Sequence, residues 1–230
     1  MKKCISATMA VLIVLSFVAF TSSAEAGQKL PKAKAPSNAA FIELCRKGTP
    51  LEVEKAIKAG ANVNPEVHNN MTPLMTAARS NSNPEVITTL LKHGADLNAT
   101  YWFNGPWTVL NVAVLGSNPA VITTLIKHGA DVNAKTDSDW TALMTAAMYN
   151  SNPEVMAVLI QNGADVNAKD ESGMTALIAA ATHNSNPAII AELTKNGADI
   201  NAKDSSGKRA IDYAKANPAL KNTNVLNMLM

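Results

Sequence analysis

Residues 90–98 read Leu90-Leu91-Lys92-His93-Gly94-Ala95-Asp96-Leu97-Asn98, an apolar pair that runs through a glycine into a polar turn. The pattern Gly-Ala-Asp/Asn-x-Asn within that run occurs five times, beginning at Gly60, Gly94, Gly129, Gly163 and Gly197, with spacings of 34, 35, 34 and 34 residues. Self-similarity at such a period marks an array. One small supersecondary unit cannot bury its apolar face alone, and does so by stacking on copies of itself.

The unit can be read outward from the glycine. Val86-Ile87-Thr88-Thr89-Leu90-Leu91 carries apolar residues at helical spacing. The glycine ends that helix because it enters the left-handed cap without a Cβ clash. Ahead of the helix stands Ser82-Asn83-Pro84, matched by Ser117-Asn118-Pro119, Ser151-Asn152-Pro153 and Ser185-Asn186-Pro187. Asparagine suits an N-cap, since its side chain accepts from a free backbone N–H, and proline suits the first helical position, where no N–H is needed. Glu85 and Glu154 follow two of these prolines and put negative charge at the positive helix end. Further upstream, Thr175-Ala176-Leu177-Ile178-Ala179-Ala180-Ala181 is a short Ala-rich run whose small residues allow close helix packing, and Asn184-Ser185-Asn186-Pro187 reads as a break between two helices.

Thr72-Pro73-Leu74 with Ala77-Ala78, followed by the run at 90–98, resembles the ankyrin repeat. The resemblance extends from about Ser37 to the C-terminus in six copies, approximately 37–66, 67–99, 100–134, 135–168, 169–202 and 203–230. It implies an all-α repeat solenoid of helix-turn-helix units joined by β-turn or hairpin fingers. Two departures stand out. The period exceeds the family's usual value of about 33. The histidine that the resemblance leads one to expect after Thr-Pro-Leu, which ties a repeat to its neighbour's backbone, is replaced by Met75, Asn111, Met144 and Ile178. Apolar packing is expected to take over at three of those four positions. The terminal copies are atypical, as the ends of an array should be. The first opens at Asn38 and restarts at Thr49-Pro50, and the last diverges to Ile211-Asp212-Tyr213-Ala214 and an Asn-rich tail. Cys45 aligns with Ala78, a small buried slot, and reads as an inert core thiol.

The N-terminal segment is of another kind. Lys2 and Lys3 precede an apolar run from Ala10 to Phe20, and Ala24-x-Ala26 follows. This is the arrangement of a bacterial-type export signal over residues 1–26, cleaved between Ala26 and Gly27. The run is shorter than the roughly 20 residues of a spanning helix, so no membrane span is expected after cleavage; an uncleaved anchor is the alternative. Cys4 lies before the apolar run and not in a lipoprotein-type cleavage site. Its removal leaves Cys45 without a disulfide partner. Residues 27–36, with three lysines and two prolines, read as a flexible basic linker. The expected location is the periplasm or the cell exterior.

Chemistry is sparse. No phosphate loop, nucleophile elbow, His-Glu-x-x-His or paired-cysteine metal motif occurs, so no enzyme, cofactor or metal is expected. His93 and His128 stand just before capping glycines, where they suit the carbonyl end of a helix; His68 and His183 have no acid partner in sequence. Asp165-x-Asn167-x-x-Asp170 and Asp199-x-Asn201-x-x-Asp204 superficially match calcium loops, yet Asp and Asn favour turns by bonding their own backbone, and calcium needs six to eight oxygens at one point. A net charge of +2 with interspersed signs gives no footprint for nucleic acid.

What the resemblance implies is protein binding on a concave face of fingers and inner helices. Its variable contact positions fall just before the Thr of each inner helix, at Met71, Trp107, Trp140, Met174 and Lys208, and after the Ala-Ala pair. There they are Arg79 and Ser80, Leu115 and Gly116, Met148 and Tyr149, and Thr182 and His183. One stretch is unusual: Thr100-Tyr101-Trp102-Phe103-Asn104-Gly105-Pro106-Trp107 gathers four aromatics in a chain that is 4% aromatic. From Ala99 to Thr108 is nine steps, against seven from Ala168 to Thr175, so this finger is two residues longer; Thr108 to Pro119 is eleven steps against twelve elsewhere. Clustered exposed aromatics mark binding sites. The expected site is therefore centred on Tyr101, Trp102, Phe103, Trp107, Trp140 and Tyr149; the alternative is that some of these rings fold back onto the neighbouring finger. The expected protein is a monomeric binding module for a periplasmic or envelope partner. An inhibitor or immunity-type protein, and a glycan platform on Trp102, Trp107 and Trp140, are the rival readings.

Overall fold

The computed structural model describes residues 34–65, 70–102, 105–116 and 118–230. The expected export signal, most of the linker, His68 and Phe103 lie outside the described residues. Residues from Ala33 onward form one compact unit. Its helices alternate between two layers. The inner layer holds α1 (Asn38–Lys47), α3 (Pro73–Ser80), α5 (Val109–Ala113), α7 (Ala142–Tyr149), α9 (Ala176–His183) and α11 (Ala210–Ala216). The outer layer holds α2 (Pro50–Lys58), α4 (Pro84–Lys92), α6 (Pro119–Lys127), α8 (Pro153–Gln161), α10 (Pro187–Lys195) and the short α12 (Val225–Met228). Each inner helix packs on the inner helix before and after it, and each outer helix likewise. This is the all-α repeat solenoid that the ankyrin resemblance leads one to expect.

The local chemistry of each unit explains its boundaries. Thr72, Thr108, Thr141 and Thr175 cap the inner helices, each hydroxyl accepting from the N–H three residues on. Asn83, Asn118, Asn152 and Asn186 cap the outer helices, with proline next in line. Outer helices end in a Schellman arrangement: Ala95 N–H reaches the Leu90 carbonyl at 3.0 Å and Gly94 N–H the Leu91 carbonyl at 3.1 Å, while Gly94 takes φ 85°. Ala95 and Leu90 are both buried, which closes the cap with an apolar contact. Between the layers lies a continuous core. Met75, Met144 and Ile178 are buried in it, so apolar packing does replace the expected histidine there. Asn111 is also buried and keeps a polar link, donating from Nδ2 to Thr145 Oγ1 of the next repeat at 3.1 Å.

The asparagine before three of the four Ser-Asn-Pro motifs, which by sequence reads as part of a break, is a buried bracket between repeats. Asn184 donates from Nδ2 to the carbonyls of Ala147 and Asn150 in the preceding repeat, both at 2.9 Å, and its Oδ1 accepts from Asn186 N–H. Asn81 does the same to Cys45 and Gly48, Asn150 to Val114 and Gly116, and Asn217 to Ala181 and Asn184. All four are buried. Carbonyls at the C-terminal end of a helix have no partner within it, and here the next repeat supplies one. Asn184→Ala removes two buried bonds of about 1 kcal/mol each and leaves the acceptors unpaired. It is expected to lower the unfolding free energy by about 2 kcal/mol or more in urea denaturation, where exposed Lys195→Ala changes it by no more than about 0.5 kcal/mol.

Candidate recognition face

The fingers carry one edge of the face, and their geometry follows from a five-residue turn. In repeats four to six the turn runs Thr136 to Trp140, Asp170 to Met174 and Asp204 to Lys208. The first N–H donates to the last carbonyl at 3.0–3.1 Å. The first side-chain oxygen accepts from the last N–H at 3.1, 2.7 and 3.0 Å. The penultimate residue must be left-handed: Gly173 has φ 76°, Gly207 φ 79°, and Asp139 and Asn70 take φ 60° and 57° in the corresponding places. Asp and Asn tolerate this region better than other side chains.

Repeat three has Pro106 at this place, and a proline ring holds φ near −65°. The turn cannot close in the usual way. Gly105 takes φ 122°, and the longer finger becomes a hairpin of β1 (Thr100–Trp102) and β2 (Pro106–Thr108). Its register pairs Thr100 with Thr108, Tyr101 with Trp107 and Trp102 with Pro106. Alternate residues of a strand point to opposite faces, so the aromatic group is divided. Tyr101 and Trp107 share one face, are half-buried and pack against the core. Trp102 is on the other face and 62% exposed.

The remaining sequence-derived positions are placed as follows. Trp140, Met71 and Met174, just before the capping threonines, are half-buried and pack on the core. Met148 is half-buried, while Arg79, Tyr149 and His183 are exposed at the ends of their inner helices. Tyr149 is 57% exposed. Among the described residues the exposed large apolar side chains are Leu51, Met228 and Met230 in the end repeats, and Trp102 and Tyr149 in the middle of the array.

Charge along the inner-helix ends is of one sign apart from Glu43. Arg46, Lys47, Arg79 and Lys215 stand in their last turns. Glu43 is held by hydrogen bonds from Arg46 and Lys47, at 2.6 and 2.8 Å, which draw its carboxyl down to about 2. The last finger is stiffened separately. Asp204 accepts from the Tyr213 hydroxyl, Ser206 and the Lys208 N–H, which holds its carboxyl at about 2. Lys208 Nζ lies over the Tyr213 ring, 5.5 Å from its centre.

The groups that might have carried chemistry are otherwise engaged. Oxygens of Asp165, Asn167 and Asp170 accept from backbone N–H groups of their own turns and of the next finger, and among the described residues no three His, Cys, Asp or Glu come together as metal ligands. His128 Nδ1 lies 2.8 Å from the Thr124 carbonyl at its helix end. Cys45 is fully buried in the core, and burial pushes its thiol up to about 12.

Models of ankyrin repeats match residues 39–136 and 99–170 in three-copy form, and residues 159–214 in many-copy form. No curated protein matches the chain. The chain belongs to the ankyrin repeat family, whose members are generally non-enzymatic modules that mediate protein–protein interaction.

Cys45 gives a direct check on the core assignment. A thiol reagent is expected to label it on the order of 10³-fold more slowly in the folded chain than in urea, since a buried thiol reacts only through opening. Its folded value, about 12, lies above the ordinary 9. The stability it contributes is therefore whole below pH 9 and declines as pH rises from 9 toward 12. The stability difference between the parent chain and Cys45→Ala should narrow across that window.

Proposed function

We propose that this chain binds a partner protein through the finger and inner-helix side of repeats three and four, with Trp102 and Tyr149 as its anchors. The observation that carries the reading is their exposure in mid-array, where neither terminal fraying nor an end cap accounts for it. Large aromatic rings bury much area with few rotamers lost, which makes them frequent hot spots. Half-buried Trp107, Trp140, Met148 and Met174 supply the floor around them, and the stacked repeats hold that surface in place before binding, which reduces the entropy lost on association. Arg79, exposed one repeat before the anchors, favours a partner that presents carboxylates.

The same reading places the protein in the periplasm or outside the cell as a monomer, with a periplasmic or envelope protein as partner. Lys2, Lys3, the apolar run to Phe20 and Ala24-x-Ala26 support export. One-to-one capture accompanied by loss of a partner's enzymatic activity would mark the protein as a neutraliser of that enzyme.

The chain from Gln28 onward, used as bait in a periplasmic extract, is expected to retain a partner that Trp102→Ala/Tyr149→Ala loses. Both side chains are exposed, so the variant should keep the parent's circular dichroism and melting temperature. Each anchor should contribute on the order of 2 kcal/mol to binding, a roughly thirtyfold change in Kd. If parent and folded variant retain the same proteins equally, the face lies elsewhere.

A further inference from the structure

In a stacked array each repeat contacts only its neighbours, so the weakest seam decides where the array opens. The seams here are unequal. Between repeats one and two, Asn81 reaches the Cys45 and Gly48 carbonyls, while Asn64 donates to the Gly94 carbonyl at 2.7 Å and accepts from Asp96 N–H at 2.9 Å. The finger bracket recurs at Asn133 with Gly163 and Asp165, and at Asn167 with Gly197 and Asp199.

At the seam between repeats two and three both brackets are missing. The eleven-step spacing from Thr108 to Pro119 lacks one residue, and that residue is the bracket asparagine: Thr72 leads through Ser80 to Asn81 and Ser82, whereas Thr108 leads through Gly116 directly to Ser117. Gly116 settles against the Arg79 carbonyl so closely that a Cβ would collide with it. On the finger side Asn98 neither donates to the Gly129 carbonyl nor accepts from Asp131 N–H, and a cavity of about 100 Å³ lies there between Leu97, Asn98, Val109, Leu110, Ala130 and Asp131. α5 is also the shortest inner helix, five residues against seven to ten. An asparagine side chain does cross this seam at one place, where Asn118 Nδ2 donates to the Ser82 carbonyl at 2.8 Å.

We propose that the array is built to part at this seam: repeats one and two open as one block, and repeats three to six as another. The seam lies directly under the hairpin finger, so a change of pitch there tilts the aromatic finger relative to the first two repeats.

Hydrogen exchange read by mass spectrometry, on the full chain in rising urea, tests this. Peptides from α1 to α4 are expected to lose protection together, about tenfold or more faster than peptides from α7 to α10, with a step between residues 99 and 108. Protection that falls smoothly toward both ends, or one opening shared by all helices, would overturn the proposal. An asparagine inserted between Gly116 and Ser117 restores the twelve-step spacing and should slow exchange of α3 and α4 by about tenfold. A folded insertion variant that keeps the step unaltered would also overturn it. The parent measurement decides the matter if that variant does not fold.

Discussion

The structure depends on the need of each helix end for hydrogen-bond partners it cannot supply itself. A two-helix unit of about 34 residues is too small to shield its own terminal carbonyls, and the buried asparagines answer this from the next repeat. Their amides have two donors and one acceptor in one plane. In Asn184 all of them are used: two carbonyls of the preceding repeat and one N–H of its own outer-helix cap. A buried amide with every atom satisfied fixes position as well as adding stability. It ties the end of one inner helix, the start of the next outer helix and the neighbouring repeat into a single geometry, and the apolar residues then fill the space so defined.

The same constraint shows why repeat three differs from the others. Proline at position 106 rules out the left-handed turn that closes the other fingers, and the hairpin is the alternative the chain adopts. The hairpin's alternation then sorts its side chains. Tyr101 and Trp107 are used to cover the core, and Trp102 is turned outward. The lengthened finger, the shortened α5 and the absent asparagine all belong to one repeat, so exposed Trp102 and the seam without asparagine brackets adjoin one another.

Much of this could be read from the residues. The glycine period revealed the array, and Asn-Pro and Thr marked the starts of outer and inner helices, because capping is a local interaction written in short motifs. The extra length of the finger at 99–108 was visible by counting. The sorting of its aromatics was not, since it depends on a pairing register that a three-residue strand does not announce. The bracket asparagines were legible in principle: Asn81, Asn150 and Asn184 each follow a capping threonine by nine residues. Asparagine beside serine and proline reads as a turn, however, and nothing local shows that its amide is buried against carbonyls more than thirty residues back. That Trp140 and Met174 lie half-covered by the core is likewise set by packing between repeats, which no local motif announces.

The bracket amides at the helix ends all point from a later repeat to an earlier one. In a chain made from its N-terminus, the carbonyls of Ala147 and Asn150 therefore face water until Asn184 has been added. Repeats one, three, four and five are closed in this way by their successors, and growth there proceeds one unit ahead of completion. In the sixth repeat the chain turns back on itself: the carbonyl of Asn217 accepts from Leu220 N–H at 3.1 Å, and α12 packs on α10 and α11. The acceptor that a later repeat meets at Asn150 and Asn184 is met there from within its own repeat.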